Sequence, residues 1–162
     1  MERGLAKRRG LVERVVSDKS WTGILFEEAV KRMFLSWGWV EGREFTVTSE
    51  RGKVDEYDFV VGRYKVDAKA TNTKRFPERY YNCVVNADQA DFGNMDVLIL
   101  GHYVMLERCA LVEGWMFRKD FVKKARRVDK GGEVPPKMVA ETDCYLMISS
   151  GLTPPMELDR YR

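Results

Sequence analysis

Histidine is nearly missing from this sequence and cysteine is sparse. The 162 residues include one histidine, His102, and three cysteines, Cys83, Cys109 and Cys144. A lone histidine excludes a multi-histidine zinc site and leaves any Ser-His or Cys-His dyad resting on that residue alone. Three widely spaced thiols fit neither a disulfide framework nor a Cys-x-x-Cys metal knuckle, and read as buried thiols. Long apolar runs are lacking too: stretches such as Val97-Leu98-Ile99-Leu100 fall far short of a bilayer span. The basic N-terminus is not followed by an apolar signal region, so the expectation is a cytoplasmic chain without membrane contact.

Charge is abundant and nearly balanced, with 28 basic against 25 acidic residues and a net charge of +3. The excess is local. It gathers in the first ten residues, at Arg3, Lys7, Arg8 and Arg9, and again between Arg118 and Lys130. One domain over 1–162 accounts for the length, with a basic N-terminal segment 1–19. Pro154-Pro155 suggests a loosely packed C-terminal segment 150–162.

From Thr22 to Trp37 the apolar residues Phe26, Val30, Met33, Phe34 and Trp37 recur every three or four positions, which predicts an amphipathic helix ending near Gly38. Phe45 to Thr48 reads as a short strand. Tyr57 to Val61 and Tyr64 to Thr71 read as a hairpin around Gly62-Arg63, a type II′ turn. Beyond them the pattern predicts a short helix over Asn86 to Phe92, strands over Asp96 to Leu106 and Cys109 to Phe117, a basic helix over Lys119 to Val128, and a last strand over Val139 to Ile148. The order indicates an α/β (α+β) layer fold, a central mixed sheet flanked by helices.

If the turn is Gly62-Arg63, Phe59 faces Val66 and Asp58 faces Asp67. Alternation puts Lys69 on the acids' face, opposite Glu56, and collects Tyr57, Phe59, Val61, Tyr64, Val66 and Ala68 on the other. One face is then core and the other carries acids and a lysine. Two carboxylates about 5 Å apart repel by about 3 kcal/mol at an effective dielectric of 20, which calls for a counter-charge. With oxygen ligands only, the fitting ions are Mg²⁺ or Mn²⁺. A lysine two residues on can orient or help deprotonate a water, or neutralise charge on a phosphoryl group. On the helix, Glu27 lies at the edge of the apolar stripe and can reach the sheet, while Glu28 points to solvent.

Tyr57-Asp58 followed by Val66-Asp67-Ala68-Lys69 resembles the PD-(D/E)xK nuclease superfamily, as does the helix segment Leu25-Phe26-Glu27-Glu28-Ala29-Val30. The likeness runs from about Thr22 to Leu106. Tyr57 stands where the family usually has proline, and the two acids are closer together in sequence than is typical. The resemblance implies a restriction-endonuclease-like core and an Mg²⁺-dependent DNA endonuclease. Asp58 and Asp67 would hold metal, Glu27 would support it, and Lys69 would position the attacking water, leaving 5′-phosphate and 3′-hydroxyl ends. It also implies a structure-selective, repair or restriction-like role, as in Holliday-junction resolvases, and suits a virus or mobile element.

Lys74, Arg75, Phe76, Arg79, Tyr80 and Tyr81 interleave charge with aromatics just past Lys69, a pattern suited to phosphate contacts and base stacking. Lys123 and Arg126 could track a nucleic-acid backbone. Gln89 lies where some of these nucleases carry a functional glutamine. The small size favours reading DNA by shape or as a homodimer. Bland readings stand beside these. The charged strand face also fits a solvated salt-bridge ladder, although its Asp58-Asp67 pair is like-charged. The scaffold could bind nucleic acid, DNA or RNA, without cutting it.

Overall fold

The computed structural model describes residues 18–48, 57–78, 80–135 and 138–162. The N-terminal basic residues, Glu56 and Arg79 therefore lie outside the described residues. Helix α1 (Asp18–Ser36) buries Phe26, Val30 and Phe34 completely, one turn apart each, so a single stripe seats it on the sheet. Phe34 anchors that seat: its ring stacks on Trp39 at 4.7 Å and meets Phe45 and Phe59 at 5.2 and 5.5 Å. Glu27 is carried two turns before this anchor.

The central sheet holds β1 (Phe45–Val47), β2 (Phe59–Val61), β3 (Tyr64–Thr73), β5 (Val97–Val104) and β6 (Cys109–Phe117), in the order β1-β2-β3-β5-β6. All neighbours are antiparallel except β3 and β5, which run parallel through eight residue pairs from Val66–Val97 to Thr73–Val104. The crossover between them carries β4 (Asn82–Asn86) and α2 (Ala87–Phe92). This is the mixed α/β architecture expected, and among the described residues no helix is long and apolar enough to cross a membrane.

The hairpin has the predicted register, with Phe59 opposite Val66 and Val61 opposite Tyr64. Gly62 has φ +55° while Arg63 stays negative, the pattern a type II′ turn requires. A side chain at Gly62 would also strike the main-chain oxygen of Tyr161, because the C-terminal segment lies over this turn. That segment is packed, which corrects the expectation of a loose tail. Its 3₁₀ helix (Pro155–Tyr161) buries Leu158, and Trp39 Nε1 donates to Asp159 Oδ1 at 2.8 Å. Trp115 exchanges main-chain hydrogen bonds with Thr153. Two adjacent prolines start a 3₁₀ turn here because their fixed φ suits it.

Three further expectations change. The basic helix α3 (Arg118–Lys124) stops at Ala125, which is extended, and β7 (Arg126–Val128) pairs with Cys144–Leu146. The expected last strand divides into a short β9 (Met138–Val139), paired with β8 (Glu133–Val134), and β10 (Cys144–Ile148). Strands β4, β10 and β7 form a second sheet that, with α2 and α3, covers the face of the central sheet opposite α1. Both faces are therefore core. Val66, Ala68, Val97 and Ile99 pack under α1, whereas Leu98, Leu100 and Met116 pack against Val85, Phe121, Tyr145 and Met147.

Candidate active site

Aspartate is poorly suited to a strand interior, and β2 begins one residue after Asp58, at Phe59. At this break the carboxylate takes over the partner's role: the Ala68 N–H donates to Asp58 Oδ2 at 2.8 Å, and the Asp58 N–H donates to the Val66 carbonyl at 2.9 Å. Strand alternation does not survive it. Tyr57 packs on the second cluster, beneath the Lys65 ammonium at 5.3 Å from its ring, rather than with Phe59 as the spacing predicted. The irregular backbone at Asp58 turns Tyr57 to the acids' face.

Asp67 lies within β3, paired with Leu98 of β5 and one residue past the end of the β2 pairing, and is 3% exposed; Asp58 is 8% exposed. Lys69, two residues on and facing the same way, brings Nζ to 3.1 Å from Asp67 Oδ2. The ammonium stands beside this buried oxygen as its counter-charge. Glu27 reaches the group from α1, where Asp58, Lys69 and Asp67 all act on its carboxyl. Glu28 instead pairs with Arg32 at 2.9 Å on the outer face, as the helix geometry predicted.

Two buried carboxylates and a half-buried one cannot all ionise cheaply at such close quarters. Burial, reinforced by the charge of Asp58, pushes Glu27 up to about 8. Burial also raises Asp67 to about 7, with Lys69 pulling back and Asp58 adding to the rise. Burial alone would lower Lys69, but Asp67, Asp58 and Glu27 outweigh it and hold the ammonium charged. Lys69 is accordingly a donor and a counter-charge, not a base.

The other candidates are scattered. Lys74, Arg75 and Tyr80 are exposed beyond the end of β3, and Lys74 lies about 17 Å along the strand from Lys69 at about 3.3 Å per residue. Lys123 is exposed on α3; Arg126 is exposed too and donates to the Glu133 carbonyl. Arg118 and Arg127, in the same basic run, are engaged internally. Arg118 donates to the carbonyls of Met95, Ala90 and Asp91, and Arg127 pairs with Asp91 and Asp143. Gln89 is exposed on α2, in a depression with Asn86, Lys130 and Thr142 that includes none of the four clustered residues. His102 is fully buried between Glu113 Oε1 at 3.2 Å and the Asn82 carbonyl at 3.3 Å, a satisfied core histidine.

Spacing could not reveal the Ala68 N–H, since a main-chain donor is invisible in a sequence. It also passed over the small polar run Ala70-Thr71-Asn72 that continues β3 beyond Lys69, although such residues in a strand signal a wall left free of bulk. Comparison with family models, curated proteins and solved structures gave no match.

Proposed function

We propose that this protein is a metal-dependent nuclease that hydrolyses phosphodiester bonds in DNA. One observation carries the reading: Glu27, Asp58 and Asp67 converge on Lys69 at a hairpin, with Asp67 Oδ2 buried beside the ammonium. A salt-bridge ladder in solvent would leave these groups exposed and singly paired. Here Asp58 and Asp67 are buried, Glu27 and Lys69 are half-buried, and like charges meet, an arrangement retained when a site needs it.

The donor set suits a hard divalent cation such as Mg²⁺ or Mn²⁺, because it offers carboxylate oxygens with no thiolate or imidazole beside them. Among the described residues no three His, Cys, Asp or Glu side chains are placed to hold a metal ion as they stand, so Glu27, Asp58 and Asp67 would have to close up to bind one. Asp58 and Asp67 would hold the ion and Glu27 would support it directly or through water. The ion would supply charge neutralisation and polarisation at a scissile phosphate.

The chain's own groups have separable tasks. Asp58, pinned by the Ala68 N–H, keeps its carboxylate in one orientation. Lys69 donates from its charged ammonium to the attacking water or to a phosphate oxygen. Lys74, Arg75 and Tyr80 would take up the backbone and bases further along.

The test is cleavage of labelled single-stranded, duplex, flap and four-way-junction DNA with and without Mg²⁺, beside Asp67→Ala and Lys69→Ala. Metal-dependent cutting lost in both variants supports the proposal. Tight binding without cutting in Mg²⁺ or in Mn²⁺ put in its place would overturn it in favour of a non-catalytic binding module.

A further inference from the structure

Directly beyond Lys69 the outer edge of β3 borders a half-open cavity of about 370 Å³, lined also by Val134 of β8, Met138 and Val139 of β9 and Thr22 of α1. Along a parallel strand, alternate residues direct both main-chain groups to the same neighbour. The Lys65 and Thr73 carbonyls accept from Asp96 and Met105 on the β5 side, whereas the Val66 carbonyl and Ala68 N–H bond toward Asp58. Ala70 and Asn72 follow Ala68 in that alternation, so their N–H and C=O groups point away from β5. Strand β2 has ended by then, and among the described residues no strand pairs with this stretch.

Three observations describe what the cavity suits. Its wall carries main-chain donors and acceptors, and Asn72 Oδ1 is buried there without a hydrogen-bond partner. Its rim presents Met138 and Val139, 48% and 63% exposed, as flat apolar cover. Among the described residues lining it the one charged group is Glu141, with no basic residue to hold a phosphate. Hydrogen-bonding edge groups beside apolar side chains, with no cation among the described lining residues, match a nucleobase. Asn72 is about 10 Å along the strand from Lys69, the reach of a nucleotide adjoining the scissile phosphate.

We propose that this cavity receives one unpaired base of the strand being cut, so that the substrate is single-stranded or locally opened nucleic acid. The proposal rests on the nuclease reading for where the phosphate lies. Closed duplex keeps its base edges paired and cannot offer one to the β3 edge without unstacking it.

The experiment scans one abasic nucleotide along a single-stranded oligonucleotide cut by the wild-type protein. It then places 2-aminopurine at each position and reads its fluorescence on binding in EDTA. The expected result is one position where loss of the base lowers cleavage about tenfold or more. 2-Aminopurine at that position changes its emission on binding, and Asn72→Leu and Met138→Ala both reduce the change. Met138 is exposed on a two-residue strand, so its variant reports even if Asn72→Leu does not fold. Normal cleavage with a flat abasic scan overturns the base pocket and leaves the nuclease reading standing. An aminopurine signal lost in the variants, with no cleavage in any metal, overturns the nuclease reading and leaves the pocket. Neither cleavage nor signal overturns both.

Discussion

The side chain of Asp58 and the main chain of Ala68 are joined: Oδ2 accepts the Ala68 N–H at 2.8 Å, between the two residues Asp67 and Lys69 that the site depends on. The carboxylate thus has a structural duty separable from its charge. Asp58→Ala leaves a buried donor without a partner and should cost about 1–3 kcal/mol. Asp58→Asn keeps an acceptor, so its Tm should stay near wild type while metal-dependent cleavage is lost. Thermal melts and cleavage rates on the two variants separate the roles. Equal melting of Asp58→Ala and wild type would contradict the assignment.

The raised carboxyls make stability depend on pH in an unusual direction. Glu27 moves from 4.5 to about 8 and Asp67 from 3.8 to about 7 on folding, so between roughly pH 4 and 8 the folded chain binds more protons than the unfolded one. Stability contributed by these groups is therefore present at low pH and lost as pH rises through that window. In EDTA the Tm should fall from pH 5 to pH 8, and Mg²⁺ should restore more of it at pH 8 than at pH 5. Asp67→Asn removes one acid and should flatten the slope, raising the Tm at pH 8 by about 2–4 °C if it recovers about 1 kcal/mol. A slope unchanged in that variant would show that Asp67 is not among the titrating groups.

Gly101 sits where the β5–β6 register shifts, under helix α1. A methyl there would collide with the Leu111 carbonyl and come within 2.7 Å of the Phe26 ring. Gly101→Ala should lower stability by about 1–3 kcal/mol, seen as a reduced urea midpoint. Because Phe26 precedes Glu27, the variant should also weaken metal-dependent protection of the fold. An unchanged midpoint would mean that the helix can lift without cost.

Binding of nucleic acid should draw on exposed cations alone. Replacing Lys74 and Arg75 together with alanine should reduce the slope of log affinity against log salt by about 1 to 2. Arg127→Ala should leave the slope alone and lower the Tm, since its guanidinium is engaged with Asp91 and Asp143 and lies 5.6 Å from the Tyr145 ring. The reverse ranking would place the binding surface on the α3 side.

Much of this arrangement could be read in advance, where local rules decide. The Gly62-Arg63 turn sets the pairing of Phe59 with Val66, and the helix period separates Glu27 from Glu28. Local rules failed where distant chain overrode them. Residues 119–128 hold no glycine or proline, yet the helix ends at Lys124 because Arg126–Val128 pair with Cys144–Leu146. The acids' face looked open because its cover comes from residues 82–147, which no hairpin rule relates to Asp67. Tyr57 changed faces because one side chain, Asp58, replaced a strand partner.

Strand β3 meets β2 across a two-residue turn, but it meets β5 only after the whole β4–α2 crossover has been laid down, with Val66 against Val97. Hairpins close in about 1–10 μs, while parallel pairings wait on loop closure. The order of assembly follows: the two aspartates come together while still hydrated, and water leaves them when β5 and the layer that covers their face arrive. Refolding near pH 7 should then take up protons at the rate at which Trp115 on β6 becomes buried, measurable with a pH indicator beside tryptophan fluorescence. The acids are neighbours first and misfits in their surroundings only afterwards.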